Sequence, residues 1–292
     1  MQVISGDTPC KRVWADFMPT CELRSATFEI EASDALDLRY RDLDFLAFCD
    51  EEKEVRSALS GLAKEFSLWI DAQERAAEGE GLEVGASLAS RCREWHRRME
   101  AGIKCLSDPT TFKAFQLANQ AMLWQMQMAQ AARHGPYPAD EGKMTPRLAT
   151  GQGFKWRPFQ IAFFLGTLES LVKPESDFRD VVDVIWFPTG GGKTEAYLLV
   201  AAFELVRRRL VNRGRDDGVA VLSRYTLRML TTQQFQRTGM LVCALELLRR
   251  QNRSLGEKEF SLGLWVGQSL TPNRFSTAVD KFEGWDLGNA DA

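Results

Sequence analysis

The sequence predicts an α/β protein in which a helical accessory domain precedes a lobe of parallel βαβαβ topology. Three observations predict it. Apolar residues recur at helical spacing from about residue 50 to 133. Three short β-branched and aromatic runs, Val181 to Phe187, Val219 to Ser223 and Phe260 to Val266, alternate with helical stretches in the second half. Between the halves, residues 134–155 hold three prolines and four glycines, the composition of a linker.

The domain plan follows: an N-terminal arm over 1–33, a helical accessory domain over 34–133, a linker over 134–155 and a phosphate-binding lobe over 156–292. In the arm, Val13, Trp14, Phe17 and the alternation Thr27-Phe28-Glu29-Ile30 suit a short strand or a segment packed on later helices. The first long helix carries an apolar stripe of Val55, Leu59, Leu62, Phe66 and Trp69, and the glycines from Gly79 to Gly85 end it. A second stripe runs through Leu88, Cys92, Trp95, Met99 and Ile103, and Asp108-Pro109 closes it. The third helix, about Thr111 to Arg133, turns Phe112, Phe115, Asn119, Met122, Met126 and Ala129 inward. No catalytic constellation stands in this half. Its two histidines, His96 and His134, are far apart and read as packing residues, and the Met122, Met126 and Met128 group reads as helical core.

Composition excludes several classes. With 45% hydrophobic and 26% charged residues the chain is of ordinary globular make-up. No apolar run approaches ~18 residues and no signal segment opens the chain, so neither a membrane span nor secretion is expected, and the location expected is cytoplasmic. The six cysteines are scattered without a C-x-x-C pair, which suits reduced thiols and not zinc. Net charge is −3, but residues 1–150 carry 18 basic against 24 acidic residues and residues 151–292 carry 19 against 16. Any polyanion contact therefore belongs to the second half.

That half opens with Trp156-Arg157-Pro158-Phe159-Gln160 and an apolar helix from Ile161 to Val172. The run Val181 to Phe187 reads as a buried strand, and Pro188, Thr189, Gly190, Gly191 and Gly192 follow it as a turn. Residues without Cβ let backbone N–H groups close around a phosphate. Lys193 and Thr194 then open a helix whose N-terminal dipole favours the same anion. In that geometry Lys193 reaches the β- and γ-phosphates of ATP and the Thr194 hydroxyl is a ligand for Mg²⁺. Glu195 to Leu210 is apolar almost all round, and Arg207-Arg208-Arg209 at its end suits either a solvated helix C-terminus or a nucleic-acid contact.

PTGGGKT resembles motif I of superfamily 2 helicases, although Phe187 stands where the general P-loop pattern has glycine. Trp156, Phe159 and Gln160, about thirty residues ahead of Lys193, resemble the Q-motif of the same helicases, whose aromatic stacks on adenine and whose glutamine reads its edge. Glutamine offers the one donor and one acceptor that reading needs. The stretch Arg224 to Gln234, RYTLRMLTTQQ, resembles motif Ia, with no proline and with Leu227 inserted. Resemblance implies that Arg224, Thr226, Arg228 and Gln233 contact the phosphates of a DNA strand; a structural helix start is the other reading. Thr271-Pro272-Asn273-Arg274 is faintly like motif Ib.

Taken together, DVIWFPTGGGKTEAYL, RYTLRMLTTQQFQR, FSLGLWVG with its TPN, and the upstream FKAFQLANQAM resemble the helicase-domain subunit of DISARM anti-phage defence systems, over about residues 110–275. The resemblance implies an ATP-dependent, DNA-engaging motor working with partner subunits, and an incomplete RecA-like P-loop NTPase lobe in this chain. Hydrolysis also needs an acidic Mg²⁺ ligand, a water-orienting carboxylate and an arginine finger. No apolar strand ending in an acidic pair follows Thr194, and no second lobe is present, so ATP binding without turnover is expected. The alternative is a non-catalytic, nucleotide-gated assembly module that docks a partner subunit through the helical half.

Overall fold

The computed structural model describes residues 36–80, 83–131, 153–185, 191–212, 218–225, 228–265 and 274–283. The arm over 1–33, the Pro188-Thr189-Gly190 part of the turn, Thr226 and the Thr271-Pro272-Asn273 motif lie outside them.

The described residues build eight α-helices: α1 (Leu43–Phe48), α2 (Glu52–Glu80), α3 (Glu83–Cys105), α4 (Pro109–Ala131), α5 (Pro158–Val172), α6 (Lys193–Val211), α7 (Arg228–Gln251) and α8 (Phe275–Glu283). Short 3₁₀ turns stand at Leu38–Arg41 and Arg253–Leu255. Caps explain several of the boundaries. The Asp42 carboxylate accepts from the Phe45 N–H and starts α1, and Asp108 accepts from both the N–H and the hydroxyl of Thr111 and starts α4. The second stripe closes before Asp108-Pro109 as expected, α3 ending at Cys105, and Pro109 also opens α4, at the first helical position where its missing N–H costs nothing.

The apolar stripes of α2 and α3 end where the helices part from their neighbours. Val55, Leu59 and Leu62 are buried and Trp69 is half exposed; Met99 and Ile103 are buried and Leu88 is exposed. Helix α4 is buried almost all round, from Thr111 to Gln125, because it packs on α1, α6 and α7. Helix α3 lies against α2 and α5, and α5 against α6. Phe115, Phe164 and Phe203 form an aromatic column through α4, α5 and α6, with ring centroids 5.5 and 5.3 Å apart. One core therefore joins the helices on both sides of residues 134–155. The last residues before α5 return to its start: the Leu43 N–H donates to the Phe154 carbonyl and the Trp156 N–H to the Arg41 carbonyl.

The expected α/β fold, with its parallel βαβαβ lobe of RecA-like type, is not what the chain forms. Among the described residues there is no strand and no sheet, only an isolated antiparallel bridge between Asp42 and Lys155. Residues 181–185, 219–223 and 260–265 are neither helix nor strand. Their side chains are largely in solvent: Val182 is 86% exposed, Leu222 90% and Trp265 99%. A β-branched run states a preference for a pleated, half-buried surface, but a strand exists only where another backbone supplies the ladder. Here helix side chains serve this backbone instead. Arg208 donates to the Val219 carbonyl, Arg209 to the Glu259 carbonyl, and the Phe260 N–H donates to Glu246.

Glu246 anchors that last segment to α7. Hydrogen bonds from Arg249, the Phe260 N–H and Arg250 hold its carboxyl down at about 2, against the opposing effect of burial. A carboxyl depressed in the folded state stabilises above its unfolded value of 4.5 and loses that contribution as pH falls toward about 2. Glu246→Gln should lower unfolding stability by roughly 1.5 kcal/mol at pH 7. Urea titrations at pH 7 and pH 3 should find the gap between wild type and variant narrowed at the lower pH; an equal gap at both would contradict the assignment.

Candidate functional site

The N-terminus of α6 is built from the glycine stretch upward. Gly191 is buried, and Gly192 takes φ of +84° and ψ of 26°, the left-handed conformation that glycine enters without strain. Lys193 and Thr194, both half-buried, are the first two residues of the 19-residue helix. A left-handed glycine followed by the first turn of a long helix concentrates backbone donors and positive potential at one point. Such an end can hold an anion, with a lysine and a hydroxyl beside it.

Three contacts fix this end. The Gln160 amide, only 4% exposed, donates from Nε2 to the Gly192 carbonyl at 2.7 Å while its Oε1 accepts from the Arg157 backbone N–H at 2.8 Å. Glu195, in the first turn of α6, pairs with Arg237 of α7 at 2.7 Å. Tyr197, one turn along, meets the Phe163 ring of α5 edge-on. Partial burial, with Tyr197 nearby, holds the Tyr225 hydroxyl above its ordinary range, and the Arg237 charge opposes that shift. The last residue before the undescribed pair 226–227 is thus close to the same helix end.

The structure brings Gln160 to the glycine turn but puts Trp156 elsewhere. Trp156 is fully buried, and its indole N–H donates to the Asn119 side chain of α4 at 2.8 Å. The expectation that this ring stacks on a base is corrected: it is a core residue with no free face. Phe159, beside Gln160, is half-buried. Arg224 and Gln233 are exposed, and Arg228 is the first residue of α7. Pro188, Thr189, Gly190 and Thr226 are not among the described residues.

Residues that sequence reasoning passed over also tie segments to neighbouring helices. Asp183 interrupts an otherwise apolar run, and its carboxylate is paired with Arg98 of α3. A charge within such a run was the available signal. Glu195 and Arg237 left none, because 42 residues separate them.

No protein-family model matches the chain. The chain is similar to the DISARM protein DrmA of Bacillus paralicheniformis, with 35% identity over 277 residues, covering 90% of this chain and 24% of that protein. It therefore spans about a quarter of the length of the curated relative it matches. No helix among the described residues is long and apolar enough to cross a membrane.

Gly192 gives the site a direct test. A Cβ there would lie 2.8 Å from Gln160 Nε2 and would need a left-handed backbone. Gly192→Ala should cost about 1–2 kcal/mol from the backbone alone, and it displaces the Gln160 amide. Gln160→Ala removes the same hydrogen bond, so the two losses should fall short of additive in a double-mutant cycle read by urea unfolding. Strict additivity would mean that the bond carries no energy.

Proposed function

We propose that this chain is the nucleotide-binding part of a DISARM-type defence protein that engages phage DNA. The relationship to DrmA supports the defence setting, and the glycine-led N-terminus of α6 supports the nucleotide. The observation that carries the reading is the left-handed Gly192 at the head of α6 with its carbonyl held by Gln160, since such a geometry suits a phosphate and leaves no room for a Cβ. Gly191 and Gly192 would supply backbone donors, Lys193 would meet the terminal phosphates of ATP and Thr194 would hold Mg²⁺. When bound, ATP would supply the phosphate charge and the free energy that a DNA motor of the superfamily 2 kind uses. Gln160 remains adjacent to the nucleotide in this reading, bracing the turn. The exposed Arg224 and Gln233 support contact with DNA phosphates near the start of α7. Binding is proposed for this chain, and turnover is not.

Calorimetric titration with Mg-ATP tests the reading. Lys193→Ala should weaken binding by at least about tenfold while far-UV circular dichroism stays unchanged. Equal isotherms for wild type and variant would overturn it.

A second reading, an assembly module that docks other DISARM subunits, is favoured by one observation: Val182, Val184, Leu222 and Trp265 present large apolar side chains to solvent. Because α4 shares its core with α6 and α7, deleting the helical half would unfold the site, and surface variants are the cleaner probe. Leu222→Asp and Trp265→Asp should abolish a complex with purified partner subunits, followed by size-exclusion chromatography with light scattering. A complex indifferent to both variants would remove this reading.

A further inference from the structure

Charge is balanced along one part of the α2–α3 pair and unbalanced along another. Arg93 of α3 is saturated: it pairs with both Asp71 and Glu74 of α2 and donates from Nη1 to the Ser67 hydroxyl at 3.0 Å. Beyond Ser67 the two helices enclose a groove of about 510 Å³. Arg56, Ser60 and Lys64 line it from α2, and His96, Glu100 and Lys104 from α3. Residues four apart share one face of a helix, so each set forms a row along its helix. Ala63 and Ile103, both buried, give the groove an apolar floor.

The two rows supply donors in excess of acceptors. Two carboxylates stand at the groove and both are engaged: Glu52 accepts from Arg56 Nη1 at 2.8 Å, and a Glu100 oxygen lies 3.6 Å from Nδ1 of His96. Among the described residues neither Lys64 nor Lys104 is ion-paired, and the buried Nε–H of Arg56 has no hydrogen-bond partner. A buried donor without an acceptor is costly, and folded proteins seldom leave one so. Guanidinium, ammonium and hydroxyl groups together are the set that holds phosphate oxygens. Arg56 to Lys64, like His96 to Lys104, covers about 12 Å of helix, more than a single phosphate spans. The volume is that of a small-molecule pocket, and the Arg93 cluster stands at one end of it.

We propose that this groove binds a small molecule carrying two or more phosphate groups, with Arg56 and Lys104 holding one end, Lys64 and His96 the other, and the Ser60 hydroxyl between them. The inference is independent of the nucleotide reading, because every residue of the groove lies on α2 or α3 and none on α6. A ligand bridging both rows fastens α2 to α3 here, as Arg93 does farther along the same pair.

Calorimetric titration of the full chain with inorganic tripolyphosphate is the test, in a Lys193→Ala background so that the α6 N-terminus does not contribute. Adding Lys64→Gln and Lys104→Gln, both at exposed positions, should weaken binding at least about fivefold with circular dichroism unchanged, since two charge-assisted contacts are removed. Hydrogen exchange read by mass spectrometry should place the protection by tripolyphosphate within residues 56–67 and 96–104. Equal affinity with and without the two lysine substitutions would overturn the inference. So would protection confined to other segments, a result that needs no variant. Sulfate bound as tightly as tripolyphosphate would reduce the groove to a single-ion site and overturn the multiply phosphorylated ligand. A thymidine oligonucleotide bound through the same two lysines, with no response to tripolyphosphate, would overturn the small-molecule assignment in favour of a nucleic-acid strand.

Discussion

The crossing of α3 over α5 is the constraint from which the rest of the arrangement follows. Glycines make it close: a Cβ at Gly102 would run into the Leu165 carbonyl, and one at Gly166 into the Trp95 indole. Into that crossing the chain puts a guanidinium with only 5% of its side chain exposed. Taking such a charge out of water costs several kcal/mol, at order of magnitude, unless every donor is matched. Here the carboxylate fork, the Gly166 carbonyl and two aromatic faces provide the match. An arginine serves where a lysine would not, because its planar fork meets two oxygens and stacks between rings at once.

From this crossing, α5 passes its position to both neighbours. Phe164, on the face away from Arg98, stands between Phe115 of α4 and Phe203 of α6. Helix α4 is consequently the spine of the molecule and not a peripheral element: its neighbours α1, α6 and α7 come from both sides of the linker. Its buried Asn119 shows the same economy. The side chain donates to the Phe115 carbonyl one turn back and accepts from the Trp156 indole, so two polar groups in the core satisfy each other. Composition marks residues 134–155 as a boundary in the sequence, while the core runs across it.

How much was legible follows from the range of each interaction. Helices α2, α3 and α4 were readable because their stripes repeat every three or four residues and need no knowledge of the partner. The three β-branched runs misled for the complementary reason: they record a local preference, and the pairing that makes a strand lies outside the local sequence. Arg208 and Arg209, read as solvated charges or phosphate contacts, serve the carbonyls of Val219 and Glu259, and Arg209 also covers the Phe260 ring. In the site, the left-handed turn before Lys193 was announced by its glycines, and Gln160 was singled out, although the contact it makes here is to the Gly192 carbonyl. Trp156 was misassigned because an aromatic ahead of a helix looks the same in sequence whether it faces a ligand or Asn119.

The placement of polar groups around α6 separates what builds the helix from what it leaves free to act. Glu195, which in a plain helix would only complement the dipole at its N-terminus, is turned to Arg237 and ties α6 to α7. Gln160 donates to the carbonyl of the residue that caps the helix. At the other end Arg208 and Arg209 neutralise the negative pole while holding two irregular segments. The helix is thus fixed by side chains at its flanks and its C-terminus, with Lys193 and Thr194 opening its first turn. In the reading proposed above, an anion would sit at that first turn, where the positive end of the helix dipole favours it.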